Sequence, residues 1–385
     1  MNAPLYFDYA ATSPLDPRVA TAIHAAQLQG FANPASQHQA GRTARKALEQ
    51  AREAILQLLG ARTQGMQADR LLFTSGGTEA NHLALLGLIG TTGGRVLLSA
   101  IEHPSLRGAG EALSKRGCAV EYVRVDRAGL LDLEHLDTLL ATAPKPRLVS
   151  IMLANNETGV LQPIAEIAQC CSQQGVLFHT DAVQAIGKLP LSFAELGIDA
   201  LTIAPHKFYG PIGIGGLLIR SALQLEPLLR GGFQQAGLRA GTESVVLAIG
   251  FAAALQFAQA DLLANAEHLS QLQTSFEAQL RANLSHLHIN SSETARAPHI
   301  SNVAFLGVDR QQLFLALDLA GVHCSTGSAC ASGSSEPSPV LLAMGLAKEV
   351  IDSSLRFSFG SRTTLADTAQ AVDRISKCVK KLRRE

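Results

Sequence analysis

"APHKFYGPIGIGGL", residues 204–217, follows directly on the apolar run "IDALTIA" at 198–204. A charged amine, Lys207, therefore stands at the exit of a segment that reads as a buried strand, beside His206 and ahead of a glycine-rich turn. Comparable apolar runs lie upstream in "RLLFTSGG" (70–77), "GRVLLSA" (94–100), "RLVSIMLA" (147–154) and "VLFHTDA" (176–182), and "GGLLIR" (215–220) follows. Helical patterns such as "TEANHLALLGLI", "EHPSLRGAGEALSKRG" and "PIAEIAQCCSQQG" separate them. Short apolar runs alternating with helices predict an α/β fold with a mainly parallel sheet flanked by helices.

The chain has 385 residues, which favours two domains over one core. Near 260 the texture changes to a long polar–apolar helix, "DLLANAEHLSQLQTSFEAQLRANL", and strands of different spacing follow, "HISNVAFLG" and "LRFSFG". The predicted division is a large domain over 16–260. A smaller α+β domain takes residues 1–15 and 261–385. Lys+Arg and Asp+Glu are both 32, so no global field attracts nucleic acid or a membrane surface. The one basic run, "RISKCVKKLRRE", carries Ile375, Val379 and Leu382 at helical spacing and reads as the solvated face of a terminal helix. The longest apolar stretch, "VVLAIGFAAAL" (245–255), is too short to span a bilayer. The six cysteines form no CxxC or zinc pattern. A reduced, cytoplasmic protein without a metal is expected.

In an open α/β sheet, the carboxyl ends of the strands form the binding crevice. Polar residues collect there. "TSGGTEA" sets Gly77 and Thr78 between a strand and a helix, where backbone N–H groups suit a phosphate. "SAIEHPSL" sets His103, "LANNETG" sets Asn155 and Asn156, and "VLFHTDAVQAIG" sets Asp181 and Gln184 after further strands. Each has an ordinary structural explanation alone, as a turn or a helix cap. Together with Lys207 they put a phosphate cradle, an imidazole, an amide, a carboxylate and an amine on one rim. Pyridoxal phosphate uses all of these, needing a lysine for a Schiff base and an acid at its pyridine nitrogen.

Ten ordered motifs carry a resemblance. They are "YFDYAATSPLDPRV", "NPASQH", "FTSGGTEANHLAL", "EHPS", "NNETGVLQPI", "HTDAVQAIGKLP", "PHKFYGPIGIG", "GLRAGTES", "STGSACASGSSEPSPVLLAMG" and "LRFSFG". The chain resembles, nearly end to end, the cysteine desulfurases of the NifS/IscS kind, within the class V aminotransferases of fold-type I pyridoxal-phosphate enzymes. The resemblance implies a mainly parallel seven-stranded sheet in the large domain. It implies Lys207 as the Schiff-base lysine, Asp181 at the pyridine nitrogen, Gln184 at the phenolic oxygen and His103 stacked on the ring as proton shuttle. Gly77, Thr78 and His206 would hold the phosphate, joined by Thr242 from the other subunit of a homodimer. Asn155 and Arg356 would hold the substrate carboxylate, a role for which an arginine fork is suited. Cys330, in the Ser/Gly/Ala/Thr-rich "STGSACASGSS" (325–335), would be the nucleophile, with Cys324 the weaker candidate. Cys170 and Cys171 read as helix packing.

The implied reaction converts L-cysteine to L-alanine and leaves a persulfide on Cys330. An acceptor protein then takes the sulfur: an iron–sulfur scaffold, a thiolation enzyme or a dedicated partner. A selenocysteine lyase, a class V aminotransferase and a catalytically idle scaffold remain as alternatives on the same sequence. Three departures from the family pattern stand out. "TIAPHK" has Ala204-Pro205 where Ser-Gly is usual, "GGFQQAGLRAGT" has Phe233, Gln235 and Ala236 where a third Gly and a Glu-Arg pair are common, and the sequence ends at "KKLRRE" where the housekeeping members of the family carry a longer tail. Ala204 offers no hydroxyl and Pro205 no N–H to a phosphate, so a weaker grip on the cofactor is expected.

Overall fold

The structure, a computed structural model, describes residues 4–327 and 336–384. Cys330 lies outside them. The chain opens with β1 (Leu5–Tyr6), α1 (Pro17–Leu28) and α2 (Gln39–Leu58). There follow β2 (Arg70–Thr74), α3 (Gly77–Ile89), β3 (Arg95–Ser99), α4 (Pro104–Lys115), β4 (Ala119–Val123), α5 (Leu133–Ala141) and β5 (Pro146–Ser150). Next come α6 (Ile164–Gln173), β6 (Leu177–Asp181), β7 (Ala200–Ile203), β8 (Gly215–Ile219) and α7 (Val245–Ala260). The remainder is α8 (Leu262–Asn283), β9 (Leu287–Ile289), β10 (Ile300–Phe305), α9 (Arg310–Leu319), β11 (Val322–His323), α10 (Pro339–Ala343), α11 (Lys348–Asp352), β12 (Ser354–Ser358) and α12 (Leu365–Arg383).

Seven strands form the central sheet in the order β2-β8-β7-β6-β5-β3-β4. β3, β4, β5, β6 and β7 pair in parallel, whereas β8 is antiparallel to both β7 and β2. β2 therefore points the same way as β7, and only β8 is reversed. The carboxyl ends of β2, β3, β5, β6 and β7 all lie along one rim. β3, β7 and β8 are buried at every position, which is why they read as unbroken apolar runs rather than alternating ones. β8 starts at the functional rim. A Cβ on Gly215 would lie 2.5 Å from the carbonyl carbon of Gly76, so only glycine lets β8 begin against the Gly76–Gly77 turn.

The helices follow their apolar spacing. α2 buries Ala44, Leu48, Ala51 and Ile55 on one face, and its N-terminus is capped by the His38 ring accepting from Gly41 N–H. α3 is apolar on nearly all sides because it lies between α4 and the sheet strands β7 and β8. α7 touches both α1 and α2 and carries Phe251 and Leu255 into the core shared with β2 and β7.

A second core gathers β9, β10 and β12, an antiparallel sheet in the order β12-β10-β9, under α8, α9 and α12. Leu5 and Phe7 belong to this core. β1 pairs in parallel with β11, and Ala10 N–H donates to Ser358 Oγ (2.9 Å). The N-terminal segment is thus pinned to the last strands and carried across the mouth of the large sheet. α7 and α8 meet at Asp261 with a bend of 71°. Among the described residues no single helix is long and apolar enough to cross a membrane.

Candidate active site

A cavity of about 250 Å³ opens at the rim where the five strand ends meet. Its wall includes Gly77, Thr78, His103, Asp181, Gln184, His206, Lys207 and Arg356, eight of the residues singled out in the sequence. Seven of them end or follow β2, β3, β6 and β7 and share a wall because those strands share a direction, whereas Arg356 reaches the cavity from β12 of the other sheet.

Lys207 ends a short 3₁₀ turn, Pro205–Lys207, that begins one residue beyond β7. Pro205 suits the first position of such a turn, where no N–H is needed. The Lys207 Nζ donates to the carbonyls of Ala10 (2.7 Å) and Ala11 (2.6 Å) on the N-terminal segment. Behind it the buried Lys188 donates from Nζ to the Lys207 carbonyl (2.9 Å). Burial, helped by the Lys207 charge, pushes the Lys188 amine down to about 7. Lys207 is the amine on the cavity wall, and Lys188 lies behind it.

Opposite the amines, a chain of hydrogen bonds links the carboxylate to the imidazole. Asp181 Oδ1 accepts from Val183 N–H (2.9 Å) and Oδ2 from Asn81 Nδ2 (2.8 Å). Asn81 Nδ2 also donates to Ser105 Oγ (2.8 Å), and Ser105 Oγ lies 2.7 Å from His103 Nδ1. The Ser105 backbone N–H points at the same Nδ1 (3.1 Å). Nδ1 is therefore an acceptor, the Ser105 hydroxyl donates to it, and the neutral ring carries its proton on Nε2. Burial lowers the His103 pKa, with Lys207 and Arg356 acting in the same direction and Asp181 against it. Glu102, next in sequence, is fully buried and held well above the usual carboxylate range by burial.

α3 begins at the cavity with no side-chain cap on its first N–H groups, which is an open anion site at a 13-residue helix. A Cβ on Gly77 would come 3.3 Å from Val183 Cγ2 and 3.5 Å from Ala204 Cβ, so the backbone here is closely walled. His206 stands nearby, its Nδ1 3.2 Å from Thr12 Oγ1. Burial and the two lysines push its ring down to about 4. An uncapped helix start, an amine and a carboxylate around one cavity fit pyridoxal phosphate.

Arg356, on β12, is 1% exposed. Its Nη2 donates to Asp8 Oδ1 (2.6 Å), and its Nη1 to the carbonyls of Asn156 (2.9 Å) and Gly327 (3.2 Å). Its Nε has no hydrogen-bond partner among the described residues. Asn155 does not line this cavity. The Asn155 Oδ1 accepts from Glu157 and Thr158 N–H (2.9 Å each) and its Nδ2 donates to Ile101 O (3.0 Å), so its amide is used up in the turn. Asn156 does line the cavity, with its Oδ1 buried and without a hydrogen-bond partner among the described residues.

Thr242 is not on this cavity. It lines a separate cleft with Ser75, Gln235 and Arg239. The loop before it is tied down in two places. Gln235 Oε1 accepts from Phe73 N–H (2.7 Å) while its Nε2 donates to Phe73 O (2.9 Å), and Arg239 holds Glu79 bidentately (2.8 and 3.1 Å). Cys324 is 6% exposed, and burial together with the Asp8 charge raises its pKa strongly, which leaves it a poor nucleophile. Cys171 is likewise buried in the large core and pushed up to about 12. Among the described residues no cluster of His, Cys, Asp or Glu could hold a metal ion.

Residues 5–371 match the family described as aminotransferase class-V. The chain belongs to that family. Its relatives include a cysteine desulfurase IscS from Dictyoglomus turgidum, 39% identical over 386 residues that cover 100% of this chain and 96% of the relative. Among solved structures, a NifS-like protein from Rickettsia africae superposes with a TM-score of 0.89 at 33% identity, over 97% of this chain and 99% of that one. A structure of SspA in complex with cysteine matches with a TM-score of 0.79 at 32% identity, over 92% and 98%. The α/β reading with a mainly parallel sheet stands, and members of this family work with pyridoxal phosphate.

Several residues of the class-V site escaped the sequence reading. Asn81 and Ser105 are one helical turn and two residues from recognised positions, yet nothing in their spacing announces a shared bond. The carbonyls of Ala10 and Ala11 act through backbone atoms that carry no signature. His299, behind Gln184, comes from the turn just before β10, a strand of the other core.

Proposed function

We propose that the chain is a pyridoxal-phosphate-dependent cysteine desulfurase, converting L-cysteine to L-alanine and passing the sulfur to Cys330 as a persulfide. The observation that carries this reading is one cavity walled by Lys207, Asp181, His103, Arg356 and the uncapped start of α3. Residues 16–260 would be the cofactor-holding domain, with 1–15 and 261–385 the smaller one bearing the nucleophile.

Lys207 would hold the cofactor's aldehyde carbon, Asp181 its pyridine nitrogen, and Gln184 its phenolic oxygen. Gly77, Thr78 and His206 would hold the phosphate, with Thr242 supplied by the second copy of a homodimer. When bound, the cofactor supplies an electron sink for the bonds around the substrate's α-carbon. Arg356, with Asn155 or its cavity-lining neighbour Asn156, would hold the substrate carboxylate. His103, neutral and protonated on Nε2, moves a proton at that face of the cavity, while the Asn81 and Val183 donors hold the Asp181 carboxylate in place. The exchange balances as L-cysteine plus the Cys330 thiol giving L-alanine plus a Cys330 persulfide. The carbon–sulfur bond breaks, a sulfur–sulfur bond forms, and the electron pair left on carbon takes a proton. The sulfur would then pass, in the cytoplasm, to an acceptor protein such as an iron–sulfur scaffold or a thiolation enzyme.

The test is incubation with L-cysteine, followed by alanine assay and mass analysis of the Cys330 peptide. Alanine should match the sulfur recovered, and Cys330 should gain one sulfur atom. Cys330→Ser should keep the bound cofactor's colour and lose both products. Lys207→Ala should fold without that colour and without borohydride-trappable cofactor. Alanine release at the normal rate from Cys330→Ser would sink the assignment of the nucleophile.

A further inference from the structure

His299 precedes β10 and is completely buried. Its Nε2 lies 3.1 Å from Gln184 Oε1, and Gln184 Nε2 lies 2.9 Å from the Ala10 carbonyl oxygen. The two ends of a glutamine amide have the same shape, so their identity must come from their partners. A carbonyl oxygen only accepts, so the Gln184 atom facing Ala10 is the NH₂ group. The atom facing His299 is then the amide oxygen, and it too only accepts. His299 Nε2 must therefore carry a proton. Its Nδ1 has no partner among the described residues. Burial, with Lys188, Arg356 and Lys207 around it, holds the His299 pKa well below its usual value, so the ring stays neutral with its single proton on Nε2.

We propose that His299 is a positioning residue that fixes which way round the Gln184 amide sits, so that Gln184 offers its remaining N–H to a bound phenolate oxygen. The amide is clamped at both ends, its nitrogen by Ala10 and its oxygen by His299. The Ala10 carbonyl alone is a weak clamp, because Lys207 Nζ donates to the same oxygen. Without His299 the Gln184 oxygen is buried and unpaired, and the amide gains by turning toward another donor. This inference rests on the reading that pyridoxal phosphate occupies the cavity with its phenolic oxygen at Gln184.

The orientation is tested first without cofactor. Nitrogen-labelled histidine NMR of the apo-protein should show His299 protonated on Nε2 only, from neutral pH down to about pH 6. A proton on Nδ1, or an imidazolium, overturns the proposal whatever the function proves to be. The consequence is tested with cofactor bound, in His299→Leu and His299→Gln. An N–H donated to a phenolate favours the deprotonated form, so its loss makes the cofactor hold its proton to higher pH. The midpoint of the visible-band pH titration should rise by about one unit in His299→Leu. His299→Gln, which keeps a donor, should restore it. Equal midpoints in all three proteins overturn the proposal. If His299→Leu does not fold, the apo-protein NMR of the wild type decides. A wild type that binds no pyridoxal phosphate counts against the proposed function and is seen before any variant is made.

Discussion

The Ser105 hydroxyl decides how His103 behaves. It accepts from Asn81 and so must donate to Nδ1, a bond that favours the neutral ring. Removing it makes protonation easier. Ser105→Ala should therefore move the acidic limb of kcat/KM upward by about 0.4–1 pH unit, from a neutral hydrogen bond's worth. Ser105→Thr should restore the limb, whereas an unmoved limb in Ser105→Ala would show that the hydroxyl does not govern the ring. At position 204 a methyl group stands in the wall beside Gly77. Ala204→Ser would place a donor there, and cofactor loss on dialysis during turnover should slow by roughly ten-fold, the low end for a hydrogen bond to a charged group. Unchanged loss would mean that the phosphate contact at 204 is already filled.

At the scale of elements, the loop ahead of Thr242 is an edge guard. β2 is an outer strand of the sheet, and the Gln235 amide pairs with the N–H and C=O of Phe73 that β8 does not use. Gln235→Leu should cost about 1–3 kcal/mol by leaving both groups unpaired. Urea unfolding would measure it, and faster hydrogen exchange at Phe73 would locate it; unchanged exchange there would exclude the pairing. The departure at 235 from the family pattern thus has a structural use. Strands β3, β7 and β8 were legible because burial on both faces leaves a continuous apolar run. The reversal of β8 was not, because a strand's direction is set by its neighbours and leaves no mark in its own composition. The clustering at the rim was legible for the same reason that the strands were: each polar residue sits just past an apolar run. Which of Asn155 and Asn156 lines the cavity was not. Two identical side chains differ only in which one the turn captures, and the Glu157 and Thr158 N–H groups capture the first.

Across the whole molecule, buried histidines set the response to acid. His179 lies between Ser150 Oγ (2.8 Å) and Thr202 Oγ1 (3.0 Å), and burial pushes it down to about 3. His206 is pushed down to about 4. In each case the unfolded chain takes up a proton near pH 6.5 and the folded chain does not, so stability falls as pH drops below that point. For His179 the loss is about 2 kcal/mol by pH 5, continuing toward its folded value near 3. Urea midpoints should fall between pH 7.5 and pH 5, and His179→Gln should flatten the slope. A slope that His179→Gln leaves unchanged would assign the acid sensitivity elsewhere. The pinning of the N-terminal segment has a further consequence, for synthesis. Asp8 and Arg356 are 348 residues apart, and β1 finds its partner only at Val322 and His323. A ribosome adding roughly 5–20 residues per second makes that interval on the order of 20–70 s. Over that time the first strand has left the ribosome with no mate, and the carbonyls that receive Lys207 have no fixed place. The large sheet can close during translation, but Arg356 and the pinned N-terminal segment join the cavity wall only near the end of it, so the side of the pocket that faces the substrate carboxylate is completed last.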